Sequence, residues 1–178
     1  MSVDEPEEIR WEGKFITART RGKWEYVSRA HGIRAAVILA IDADDHVLLV
    51  EQYRVPLGRC CLELPAGLVG DDAGAEPENA VQAAGRELEE ETGYRAERIE
   101  VIGEFYSSPG MVSESFTLVR AHGLSKVGPG GGTASEDITV HRVALSALPQ
   151  FVETARARGL GIDVRLLMLL APGIIGRT

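Results

Sequence analysis

The chain is short of cysteine, of basic charge and of long apolar runs, and each shortage excludes a class of function. Its 178 residues include two cysteines, the neighbours Cys60 and Cys61. Adjacent strand residues point to opposite faces, so an ordinary disulfide between them is not expected. No second cysteine pair exists to build a metal site, and His31, His46, His122 and His141 show no zinc-type spacing. The longest uninterrupted apolar run, residues 35–41, is seven residues, against the roughly 20 that span a bilayer. The opening MSVDEPEEIR is acidic and lacks the basic-then-apolar order of a signal peptide. Nineteen basic residues against 27 acidic ones leave a formal charge of −8. Nucleic-acid binding needs a surface that neutralises phosphates, so neither nucleic acid nor membrane is an expected partner. A reduced, cytoplasmic protein is the expectation.

What is present is ordinary for a globular domain: 44% hydrophobic and 26% charged residues, at a length that suits one domain. Short β-leaning stretches cover residues 9–19, 24–29, 33–42, 46–52, 60–64, 99–105, 115–121 and 138–143. The 60–64 strand is expected to end at Pro65-Ala66-Gly67. Residues 79–91, 146–158 and 164–170 read as helices. In the first, Val81, Ala84 and Leu88 mark a buried face, Asn79 with Gln82 forms a capping box, and Gly93 ends it. Many strands with three scattered helices make an α+β or layered αβα domain. No internal repeat is visible. Residues 123–135 (GLSKVGPGGGTAS) lack Rossmann spacing and are expected to form a mobile surface loop.

The helix over 79–91 carries the chemistry. At about 100° per residue, Glu87, Glu90 and Glu91 share an arc of roughly 100°, with only Ala80 and Ala83 beside them. Like charges at i,i+4 repel by roughly 0.2–0.5 kcal/mol per pair. An anion near a helix C-terminus opposes the helix dipole by ~0.3–1 kcal/mol. Either this is a solvated acidic helix end or something compensates, and hard oxygen ligands without histidine or cysteine suit Mg²⁺, with Mn²⁺ a possible substitute.

At these residues the chain resembles the Nudix hydrolase family, whose pattern is G-x5-E-x7-R-E-U-x-E-E-x-G-U, with U bulky and apolar. Glu78, seven intervening residues and the run Arg86 to Tyr94 (RELEEETGY) match it. Gly67 lies eleven positions before Glu78 where the pattern expects six, a five-residue insertion. Tyr94 is also bulkier than the usual aliphatic. The resemblance implies a Nudix-type αβα sandwich with a mixed sheet over residues 33–178, preceded by a small antiparallel β region over 1–32. It implies metal ligands at Glu87, Glu90, Glu91 and the Ala66 carbonyl, with Glu78 and Arg86 as a supporting ion pair and Glu89 facing solvent.

Further stretches resemble the ADP-ribose pyrophosphatase branch: EQYR (51–54), LELPAG (62–67), SSPGMVSE (107–114) and SEDITVHRV (135–143). Pro109 stands sixteen residues past Gly93, near the branch spacing. The branch carries a water-activating glutamate after the glycine-rich loop, and Glu136 matches best, with Asp137 next. The expected catalytic residues are therefore Glu136, Glu90 and Arg86. Expected substrate contacts are Arg29, Arg54, Glu63, Gly67, Pro109, Met111, Glu114 and Trp24. In this branch the N-terminal strands pair two subunits, which implies a homodimer with Trp24 or Phe15 as an aromatic face for adenosine. The plainer reading of Trp11, Phe15 and Trp24 is interface or core. The implied reaction is Mg²⁺-dependent hydrolysis of ADP-ribose to AMP and ribose 5-phosphate. Alternatives are another nucleoside diphosphate sugar, such as GDP-mannose or ADP-glucose, or an ADP-ribose sensor without turnover.

Overall fold

The structure, a computed structural model, describes residues 5–70, 79–133 and 136–170. Three strands come first: β1 (Glu7–Glu12), β2 (Ile16–Arg21) and β3 (Trp24–Arg29), an antiparallel sheet in that order. The stretch expected as one strand over 9–19 is two. The Gly13 N–H donates to the Ile16 carbonyl at 2.9 Å and turns the chain between them. Beyond β3 lie β4 (Arg34–Ala40), β5 (His46–Arg54), β6 (Arg59–Glu63) and β7 (Ala66–Val69). Helix α1 (Ala80–Glu87) is followed by β8 (Tyr94–Arg95), β9 (Arg98–Tyr106), β10 (Ser115–His122) and β11 (Ser125–Lys126). The chain continues through β12 (Ile138–Ala144), α2 (Leu148–Ala157) and β13 (Gly161–Ile162) to a final helix, Val164–Leu170. That last helix is of the 3-10 type, not the α-helix its apolar pattern suggests.

Two four-stranded sheets form the body, in orders β7-β4-β10-β9 and β12-β5-β6-β13. The first is mixed, because β4 runs parallel to β10 and antiparallel to β7. Strand β4 is buried on both faces. Val37 and Leu39 join Leu49, Leu62, Leu118 and Val152 of α2 in one core, while Ala36, Ile38 and Ala40 meet Ala84 and Leu88 on the α1 side. That is the αβα layering expected. Alanines let α1 approach the sheet closely, and the buried face is Ala83, Ala84 and Leu88, with Val81 turned outward at 36% exposure. Both cysteines are free.

The N-terminal sheet is stitched to the body through residues 107–114. Val27 donates to the Met111 carbonyl and accepts from the Ser113 N–H, each at 3.0 Å. Trp11, Phe15 and Trp24 are each more than half exposed, so in one chain they are not core residues. Among the described residues no helix is long and apolar enough to cross a membrane.

The acidic helix departs most from expectation. Asn79 accepts from the Val81 and Gln82 N–H groups while Gln82 accepts from Asn79 N, the capping box foreseen. After Glu87, however, the helix widens into a π turn, Leu88–Thr92, closed by Gly93 at φ 73°. The glycine-rich loop, expected to be mobile, docks against that end. Gly131 N donates to the Glu91 carbonyl at 2.8 Å, and Gly132 N to the Glu90 carbonyl at 2.9 Å. The last carbonyls of a helix lack partners within it, and the loop supplies them. The approach is close: a Cβ on Gly130, which has φ +72°, would stand 2.4 Å from the Thr92 carbonyl carbon.

Candidate active site

A cavity of about 600 Å³ opens where β5, β6 and β7 meet the end of α1 and the segment after β13. One wall is acidic: Glu87, Glu91 and Glu136 line it beside Ala66 and Gly67. Glu91 is buried, and its Oε2 accepts from the Ala66 N–H at 3.0 Å. Burial pushes the Glu91 carboxyl up to about 8; the Ala66 N–H opposes this, and the nearby Glu87 and Glu136 add to it. Burial also raises Glu87, against the pull of Arg86, with Glu90 and Glu136 adding their repulsion. Gly67 is glycine for a visible reason: a Cβ there would lie 2.0 Å from Cγ and Cδ of Glu87.

The other wall is bipolar. Glu63, 3% exposed, accepts from Arg54 Nε at 2.7 Å and Nη2 at 2.8 Å. Arg29 Nε donates to Glu114 at 2.6 Å, a contact that also ties β3 to the cavity. Nine of the expected site residues thus share one cavity: Arg29, Arg54, Glu63, Ala66, Gly67, Glu87, Glu91, Glu114 and Glu136. Glu136 is held by Thr133, whose N–H and hydroxyl donate to its Oε2 at 2.9 and 3.0 Å.

Others lie elsewhere. Arg86 and Glu90 are not in the lining; Arg86 Nη1 bridges Glu87 at 2.9 Å and Glu90 at 3.2 Å. Glu89 pairs outward with Arg95. Trp24 and Pro109 line a second hollow of about 450 Å³ over the N-terminal sheet, and Met111, 62% exposed, lines neither. Glu78 and the five-residue insertion lie outside the described residues. Sequence reasoning missed Asp163 and Arg165, which also line the large cavity. Their only local signal is an acid and a base two positions apart in an apolar stretch.

The donor set suits a hard divalent cation: carboxylate and carbonyl oxygens, a buried carboxyl under repulsion, and no nitrogen or sulfur ligand among the expected donors. As the side chains stand, no three His, Cys, Asp or Glu among the described residues converge as a metal-binding group. Arg86 engages Glu87 and Glu90 while Glu91 turns to Ala66 N. Cys61 also lines the cavity, but burial lifts its thiol to about 12, so it is no nucleophile at neutral pH.

The model of the NUDIX domain matches residues 31–155, starting just after β3. The chain belongs to the Nudix family. Three curated relatives frame it. It is 35% identical over 123 residues to the methanol dehydrogenase activator of Bacillus methanolicus, covering 68% of this chain and 64% of that protein. It is 42% identical over 91 residues to the ADP-ribose pyrophosphatase of Bacillus subtilis (strain 168), covering 51% and 46%. It is 35% identical over 159 residues to the GDP-mannose pyrophosphatase of Cronobacter sakazakii, covering 84% and 76%. The chain therefore spans less than two thirds of the length of the first two. A solved structure, "Crystal structure of ADP compounds hydrolase", superposes with a TM-score of 0.69 at 23% identity, over 97% of this chain and 95% of that one. That likeness is one of fold. The Nudix match ends at 155, so Asp163 and Arg165 lie beyond it.

Proposed function

We propose that this chain is a Mg²⁺-dependent hydrolase that cleaves the pyrophosphate bond of ADP-ribose, giving AMP and ribose 5-phosphate. The observation that carries the reading is one cavity in which Glu87, Glu91 and Glu136 face Arg29 and Arg54. The ADP-ribose pyrophosphatase relative supports the choice of substrate. Glu87, Glu90, Glu91 and the Ala66 carbonyl would hold the metal, which Mn²⁺ could replace. When bound, it screens the acidic wall from the diphosphate and polarises the phosphoryl oxygens.

The remaining work falls to the chain itself. Arg54 and Arg29 bind phosphate oxygens, each already oriented by a carboxylate. Arg86 keeps Glu87 and Glu90 on one side of the helix end. Glu136 takes a proton from the attacking water as its oxygen bonds to one phosphorus and the bridging P–O bond breaks. Thr133 fixes the base through two donors. The exposed Trp11, Phe15 and Trp24 support pairing of two chains through a dimerisation region at residues 1–32, with the catalytic domain over 33–178. Through that pairing Trp24, Pro109 and Met111 would reach the adenosine of a neighbouring site. Two free cysteines support a reducing compartment, the cytoplasm.

GDP-mannose is the second reading, because the relative with that activity aligns over 84% of the chain. The test is product release from ADP-ribose, GDP-mannose and ADP-glucose, each with Mg²⁺ and with EDTA. A dominant EDTA-sensitive rate on ADP-ribose is expected. A dominant rate on GDP-mannose would replace the substrate assignment, and tight ADP-ribose binding without turnover would make the chain a sensor.

A further inference from the structure

Strand β13 is two residues long, yet it brings a distant part of the chain into the cavity. It pairs parallel with β6, Gly161 opposite Cys61 and Ile162 opposite Leu62, and the Asp163 N–H then donates to the Leu62 carbonyl at 3.0 Å. This register sets Asp163 and Arg165 beside Glu63. Asp163 grips Arg165 through Nε at 2.6 Å and Nη2 at 2.5 Å, and Nη2 also lies 3.6 Å from Glu63. The guanidinium carbon sits 5.5 Å from the Phe116 ring centre. Glu63 therefore stands between two arginines, gripping the near edge of Arg54 and ion-paired with Arg165, whose own near edge Asp163 holds.

The far edges are unoccupied. Arg54 and Arg165 bond only through Nε and Nη2, so neither Nη1 has a partner among the described residues. No buried side-chain nitrogen or oxygen among the described residues is left unpaired. Both Nη1 groups are thus open to solvent, and both residues line the cavity. The carboxylates hold each arginine protonated: Glu63 for Arg54, Asp163 against burial for Arg165. A guanidinium immobilised on one edge and open on the other presents a fixed pair of N–H donors, the geometry that suits a phosphate.

We propose that Arg165, splinted to Arg54 by Glu63, is a phosphate-binding residue, and that the two Nη1 edges form a clamp for the diphosphate of a nucleoside diphosphate substrate. The proposal rests on the pyrophosphatase reading above for its substrate, but the clamp itself is a property of Glu63, Asp163 and the two arginines. It makes binding, more than the chemical step, depend on a residue outside the Nudix match.

The test is calorimetric titration in EDTA, with inorganic pyrophosphate and separately with ADP-ribose, on the wild type, R165Q and R165K. Loss of one charge-assisted contact is expected to weaken both ligands about tenfold in R165Q. R165K keeps a positive charge without the fork and guards against misfolding of R165Q; an intermediate loss at an unchanged urea midpoint is expected. With Mg²⁺ and the substrate cleaved, R165Q should raise KM and leave kcat nearly intact, the mark of uniform binding. If folded R165Q or R165K binds pyrophosphate as the wild type does, or the wild type does not bind it, the clamp is overturned. If pyrophosphate binding depends on Arg165 but ADP-ribose is not bound, the clamp stands and the substrate reading fails.

Discussion

A methyl group at Gly67 would stand 2.0 Å from Cγ and Cδ of Glu87. Ordinary carbon contact is roughly 3.5 Å, so in Gly67→Ala the Glu87 carboxyl must withdraw by about 1.5 Å. The obstacle is the far part of a flexible side chain and not backbone, so the fold can accommodate the change. Gly67 has no positive φ, and alanine there removes unfolded-state freedom worth roughly 0.4–1 kcal/mol. Stability should therefore hold or rise, with a melting temperature unchanged or up to ~2–4 °C higher. Activity should move the other way. A misplacement near 1 Å in a metal-and-base constellation costs on the order of 10²-fold, or about 2.7 kcal/mol of transition-state stabilisation. The assay is kcat/KM for ADP-ribose beside a thermal melt of the same preparation. A G67A protein within about threefold of wild-type kcat/KM would refute the claim that Glu87 must lie against the β7 backbone.

Gly130→Ala should behave differently, because its Cβ meets backbone at 2.4 Å in a positive-φ residue; stability should fall by ~2–4 kcal/mol in urea, with activity. Asp163 offers a pH test. Burial would raise its carboxyl, but Arg165 outweighs that and holds it below 3.8, so its stabilisation is present at neutral pH and lost as pH falls through the folded value. Wild type should therefore exceed D163N in stability at pH 7, and the gap should close in acid melts that pass below the usual carboxylate range. Serine at both Trp11 and Trp24 should convert a dimer to a monomer in light scattering; a tryptophan-substituted chain that elutes as wild type does would reject the N-terminal interface.

Legibility in the sequence followed locality. The α1 cap was readable because Asn79 and Gln82 are three residues apart and satisfy each other. The acidic cluster was readable because one helical turn joins its members. Strand β7 was not, since Pro65-Ala66-Gly67 looks like a stop and its hydrogen bonds come from β4, some thirty positions earlier. The glycine-rich loop read as mobile because its partners, the carbonyls of Glu90 and Glu91, are backbone groups with no sequence signature. Arg165 was invisible for a related reason: two residues of β13 decide where it lands.

The glycine loop caps the helix end with main-chain donors alone, and this shapes what variation the loop tolerates. Side chains at Val127, Pro129 and Thr133 take no part in the bonds from Gly131 and Gly132, whereas Gly93 and Gly130 sit too close to backbone to gain a Cβ. A saturation library over 123–133 should therefore return forbidden glycines, Gly128 excepted because a Cβ there meets nothing, among permissive neighbours, Leu124 excepted for its packing on the core and Thr133 for its grip on Glu136. Those permissive positions are the ones through which selection could vary the loop while the acidic helix end stays as it is.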